Sequence, residues 1–349
     1  MIGPGDRRGA ARSAAPRSGL QRRACTEARA ATVAQRIPPI EVAFPDLAPW
    51  SAGNAGVPFV WRFASGVPGP RVTLQALTHG NEVCGAIALD WLLRRDFRPR
   101  RGTLTIVFAN VAAYESFDDH DPFAARCLDE DFNRLWDPEV LDSPRRTREL
   151  GRARELRACY DETDFLLDLH SMTDPCPALA LSGRQRKGLE LARDIGIPGY
   201  VVIDEGHRAG RRLRDYAHFD DPDDPRSALL VECGQHWEAA APTVARQVCL
   251  RFLRHFGMAD ASFVDPHLEP GRPPPQRAIE ITDVVTIEND DFSFALPLQG
   301  LMTIPAAQTL IARDGGRAIV SPYADCVLVM PSRRPRIGET AVRIGRFVD

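Results

Sequence analysis

The chain has 349 residues, 44% of them hydrophobic, which is enough for a sizeable core and for one large domain plus a smaller one. A formal net charge of -3 makes no field that would gather nucleic acid or an anionic membrane surface, and no apolar run approaches the ~20 residues that span a bilayer. The eight cysteines are scattered without a CxxC pair, several inside apolar segments, which points to a reducing, cytoplasmic setting and away from a thiolate metal site.

Residues 1–36 are rich in arginine, with only Asp6 and Glu27 as acids, and no apolar core follows the charges. A disordered tail is expected there, with a transit peptide or a start codon assigned too early as the alternatives, rather than a secretory signal. From Ile40 the pattern becomes regular. Phe59–Phe63 and Val72–Leu77 read as strands, the second running into Thr78-His79-Gly80-Asn81. Glu82–Arg95 carries apolar residues at helical spacing, and Thr103–Ala109 reads as a buried strand. Asn110–Asp137 is a long acidic connection without periodicity, a length usually reserved for function. Pro144–Asp161 reads as a surface helix and Asp164–Leu169 as a buried strand ending in Asp168-Leu169-His170. Further strands are expected at Ala178–Leu181, Tyr200–Ile203 and Ala228–Val231, with helices over Gln185–Ile195 and Ala239–Phe256. This alternation predicts an α/β domain over residues 37–264, with helices on both faces of the sheet.

The character changes after Phe256. Residues 265–277 hold five prolines and read as a stiff linker. Short β-like runs come next at Ala278–Ile281, Val284–Ile287, Phe292–Leu296, Leu310–Ala312, Ala318–Val320 and Cys326–Met330, so a small all-β domain is expected over residues 278–349.

His79 and Glu82 stand three residues apart where a strand gives way to a helix, so one helical turn brings both toward a common ion. Alone, an HxxE is a weak signal. His170 strengthens it, because it follows a separate buried strand, and sites in open α/β sheets form at the carboxyl ends of strands. Two His and one Glu with an open fourth position form a catalytic rather than a structural zinc set, predicting one Zn2+ per chain. Asp168, two residues before His170, lies on the same side of the strand, where it can fix that imidazole or accept local backbone donors.

The ordered motifs His79-Gly80-Asn81-Glu82, Asp131-Phe132-Asn133-Arg134, Asp168-Leu169-His170-Ser171 and Val231-Glu232-Cys233-Gly234 resemble those of the aspartoacylase and succinylglutamate desuccinylase family, a branch of the zinc carboxypeptidase superfamily. The resemblance covers roughly Val72 to Phe256 and implies a mixed-sheet carboxypeptidase-like fold. It extends to the C-terminal β region, implied to narrow access to the metal and favour small substrates. It also implies Glu232 as general base, Arg126 as the group that polarises the scissile carbonyl, and Asn133 with Arg134 as the grip on a substrate carboxylate. The expected activity is zinc-dependent hydrolysis of the amide bond in a small N-acyl amino acid or related carboxylate. The alternatives are a carboxypeptidase on short peptides and an inactive metal-bearing binding protein. No role carries over to His236, Arg211, Arg212 or Arg214. His236 reads either as a pocket group titrating near neutrality or as a helix cap, and the three arginines as carboxylate binders or as a solvated face. Lys187 is the only lysine, so arginine is the default cation here and arginine clusters alone mean little.

Overall fold

Apolar runs that need cover on two faces build the centre of an eleven-stranded mixed sheet, seen in a computed structural model that describes residue 1 and residues 37–334 and 336–348. The expected tail over residues 1–36 falls almost wholly outside the described residues. The strands of the first part are β1 (Val60–Ala64), β2 (Arg71–Ala76), β3 (Thr103–Phe108), β4 (Phe165–Met172), β5 (Leu179–Leu181), β6 (Tyr200–Ile203) and β7 (Ser227–Gln235). Those of the second are β8 (Arg277–Thr286), β9 (Ser293–Phe294), β10 (Met302–Ile304), β11 (Leu310–Asp314), β12 (Arg317–Val320), β13 (Cys326–Val329) and β14 (Thr340–Val348). The large sheet runs β1-β3-β2-β4-β7-β5-β6-β8-β14-β13-β10, and β12-β11-β9 form a separate small one. Strands β3, β2, β4 and β7 are mutually parallel.

Helix α1 (Cys84–Arg94) and α4 (Ala241–His255) cover one face of the parallel strands, where Leu89 and Phe252 join Leu74, Leu167 and Leu229 in one buried cluster. Helix α2 (Arg148–Asp161) covers the other, placing Leu150, Leu156 and Tyr160 with Val107, Leu166 and Ala228. The short α3 (Arg186–Ile195) packs with the first cluster through Leu191 and Ile195. Helices on both faces thus appear as expected. The α2 helix starts at Arg148 rather than near Pro144, because the Thr147 hydroxyl accepts from Leu150 N–H and caps it.

Two differences from the sequence reading matter for the site. Both β4 and β7 continue past their apolar runs, so His170 and Glu232 sit within strands as laterally paired neighbours. Further on, Ala278–Ile281 and all of Val284–Ile287 but its last residue belong to one strand, β8. Its pairing with β14 skips Thr282, a bulge that reads in sequence as a break. Strand β8 begins where the proline-rich stretch ends and pairs with β6, so the C-terminal strands extend the sheet that carries the site. No disulfide forms among the described residues, and no described helix is long and apolar enough to cross a membrane.

Candidate metal centre and its cavity

Strand β2 delivers the chain into a tight loop, Leu77 to Val83, ahead of α1. Gly80 is required there by close approach. A Cβ at this position would lie 2.3–2.5 Å from backbone atoms of Ala113, Tyr114 and Ala125, and Gly80 N–H donates to the Arg126 carbonyl. The loop is also fastened by Trp237, whose indole N–H donates to the Asn81 carbonyl at 3.1 Å. Gly85 in α1 lets the helix lie against β2 and β4, since a Cβ would meet Ala76 and Leu169 at 2.9 and 2.7 Å. These contacts turn His79 and Glu82 toward β4.

The three expected ligands meet. Nδ1 of His79 lies 2.7 Å from one Glu82 oxygen, and Nδ1 of His170 lies 2.9 Å from the other. The donor atoms of His79, Glu82 and His170 all fall within 4.8 Å of one another, and all three residues are buried. Each imidazole has a carboxylate behind it as well. His79 Nε2 is 2.9 Å from Asp131 Oδ1, and His170 Nε2 is 2.9 Å from Asp168 Oδ2, the latter too far off line for a good hydrogen bond. Asp168 is held in turn by the Thr78 hydroxyl and the Gln75 amide. Two nitrogens and a carboxylate converging, with both distal nitrogens backed by carboxylates, is a donor set that suits zinc. Burial penalises the Glu82 charge, but the two imidazoles overcome this and hold its carboxyl well below the usual range. For His170, burial works against protonation, while Asp168 and Glu82 outweigh it and raise the imidazole well above its ordinary value.

Glu232 stands beside this cluster, in register with His170 across β4 and β7. Its Oε2 is buried with no hydrogen-bond partner, and burial together with the Glu82 charge pushes the carboxyl up to about 8. Arg126 enters from the long loop, donating to Asp131 at 2.9 Å and reaching Glu82 at 3.3 Å. That loop is built on Glu149 of α2, whose fully buried carboxylate accepts from the N–H groups of Leu128, Asp129 and Glu130. Asn133 and Arg134 come next. The Asn133 carbonyl oxygen is occupied by Leu213 N–H, leaving its amide nitrogen for the cavity, and Arg134 donates to the Asn133 backbone carbonyl.

Around these groups lies a cavity of about 460 Å³, lined by His79, His170, Arg126, Asn133, Arg134 and Glu232. Glu82, the seventh expected residue, is buried against its two imidazole neighbours. The C-terminal region closes the cavity with Met330, Ser332, Arg334, Thr340 and Arg343.

Several roles differ from both readings open in the sequence. His236 is neither a near-neutral pocket group nor a helix cap. It is buried, with Nδ1 2.9 Å from the Ser171 hydroxyl and Nε2 3.2 Å from that of Thr173, and burial lowers it to about 4. Arg212 and Arg214 are buried too, not solvated, and are spent on Asp204 and Asp215. Arg211 is half exposed near Asp137. Asp131, in sequence only a motif neighbour, backs His79, Arg126 and Arg134 at once. His207 and Arg343 line the cavity without any local signal.

Solved structures share this fold. Succinylglutamate desuccinylase from Vibrio parahaemolyticus superposes with a TM-score of 0.63 at 17% identity, covering 84% of this chain and 87% of that one. The Vibrio cholerae succinylglutamate desuccinylase gives 0.63 at 16%, covering 84% and 89%. The product-bound ectoine utilization protein EutE (DoeB) from Ruegeria pomeroyi gives 0.59 at 16%, covering 82% and 88%. No curated protein sequence matches the chain. The model of the succinylglutamate desuccinylase/aspartoacylase catalytic domain matches residues 68–256, more than half of the chain, which therefore belongs to that family.

Proposed function

We propose that this protein is a zinc-dependent deacylase, with one ion per chain, that hydrolyses the amide bond of a small N-acyl amino acid or similar carboxylate-bearing amide. Members of its family are amidohydrolases. The observation that carries the reading is the pair of Nδ1 atoms converging on Glu82 with an unpartnered buried carboxylate, Glu232, alongside. A zinc ion held by His79, Glu82 and His170 would supply a Lewis acid that makes water nucleophilic at neutral pH and polarises a carbonyl.

The chain's own groups do the rest. Beside the charge of a bound ion, which favours its ionised form, Glu232 would take the proton of the attacking water and hand it to the leaving nitrogen, so the amine departs neutral. Arg126 faces the developing oxyanion with its guanidinium, held in place by Asp131. Arg134 binds the substrate carboxylate, and the Asn133 amide nitrogen adds a donor. A cavity of about 460 Å³ suits a small molecule and not a folded protein. The test is metal analysis of protein purified without added metal, then a screen of N-acyl amino acids against dipeptides. About one zinc per chain and turnover of the acyl amino acids is the expected result. Turnover confined to dipeptides, or none that depends on the metal, would sink the proposal.

A further inference from the structure

The guanidiniums around the cavity are unequally provided for. Arg126 bonds Asp131 at 2.9 Å, and Arg212 makes two bonds to Asp204 and two to Asp215. Arg134 and Arg343 reach a carboxylate only at 3.9 Å, and in each case it is one already bonded to another arginine. Arg343 is nine-tenths buried, and its Nε has no hydrogen-bond partner. Both side chains line the same cavity.

A buried guanidinium without its anion destabilises the fold, and two facing one cavity repel each other as well. Nearby carboxylates relieve them only in part: Asp131 favours the charge on Arg134, and Asp204 and Glu232 that on Arg343, yet the closest approach is 3.9 Å in each case. His207, which lines the same cavity, uses Nδ1 to accept from Ala209 N–H and sets Nε2 3.3 Å from the Thr340 hydroxyl. Burial draws both arginines below their ordinary range, and Arg343 adds to the effect at Arg134. A carboxylate fits this arrangement because it accepts from two guanidiniums at once.

We propose that Arg343, from the last strand, and Arg134 together hold one carboxylate of the bound small molecule. The anion site is then complete only when β14 is in place. This rests on the small-carboxylate function proposed for the cavity and adds a residue beyond the 68–256 span that the family model matches.

Calorimetric titration of the zinc-loaded full chain with glutarate, glutaramate and glutaramide tests it. Wild type should bind the two acids and not the neutral diamide. Arg343→Met should weaken both acids by roughly tenfold or more, as expected for losing a charge-assisted pair. Its thermal midpoint without ligand should not fall, since an apolar side chain replaces a buried charge whose nearest carboxylate, at 3.9 Å, is already bonded to Arg212. Arg343→Lys keeps the charge but loses the planar donors, and should weaken the acids several-fold. It also serves as the test should the methionine variant not fold. Acid affinity within twofold of wild type in either folded variant, or a diamide bound as tightly as the acids, would overturn the site. None of these probes is an N-acyl amino acid. Arg343-dependent binding without any deacylation would therefore sink the hydrolase reading alone, and deacylation with Arg343-independent binding would sink this site alone.

Discussion

Glu232 and Arg134 line one cavity, yet their losses should read out in different kinetic constants. Glu232→Gln keeps the shape and removes the proton acceptor. It touches neither His79 nor His170 through a hydrogen bond, so zinc content should stay near one per chain while turnover falls by ~10²–10⁴. Arg134→Ala removes binding and leaves proton transfer alone, so KM should rise strongly with a smaller change in kcat. Steady-state kinetics on one verified substrate checks the crossed pattern, and near-full turnover by Glu232→Gln would refute the assigned role. On the zinc site proposed above, Asp168 would act at one remove from the ion. Asp168→Asn keeps the Thr78 contact but takes the charge from behind His170, so zinc affinity should drop ~10–100-fold in a chelator competition.

At the level of elements, the site depends on close backbone approach between the β2–α1 loop and the segment that carries Arg126. Gly80→Ala would force a Cβ against three backbone groups, which unlike a side-chain tip have nowhere to go. Unfolding by urea should show a loss of about 1–3 kcal/mol, with activity reduced further because Arg126 moves with the loop. An alanine variant with unchanged stability and rate would show that the loop yields freely. This geometry also explains how much of the site is legible in the sequence. His79, His170 and Glu232 are legible because each stands at the end of an apolar run, and Glu82 because it follows His79 by one helical turn, all local signals. Arg343 and His207 are not, since each reaches the cavity only through long-range pairing of β14 with β8 and of the His207 loop with Thr340. Strand β14 itself is hidden in the sequence because a buried arginine and Gly345 interrupt its apolar pattern. The bulge at Thr282 hides β8 in the same way, splitting one strand into two apparent runs.

For the whole molecule, the question is whether the C-terminal strands are an appendage or part of the hydrolase. Strand β8 pairs with β6 over four residues, Tyr200 to Ile203, and buries Ile279 against Val202, Leu230 and Val327. Removing it would leave the β6 backbone as an open edge and strip cover from that cluster, the combination that invites edge-to-edge association. The same strands supply the roof of the cavity, including Met330, Thr340 and Arg343. A chain ending at residue 276 should therefore express mainly as aggregate. Any soluble fraction should melt at lower temperature than the full chain, while His79, Glu82 and His170 remain on the retained part and can still take up zinc. Light scattering, thermal melting and metal analysis of the truncated chain separate these effects. A monodisperse, metal-loaded truncation with wild-type kcat and KM would show that the C-terminal strands contribute neither to the stability of the sheet nor to substrate binding.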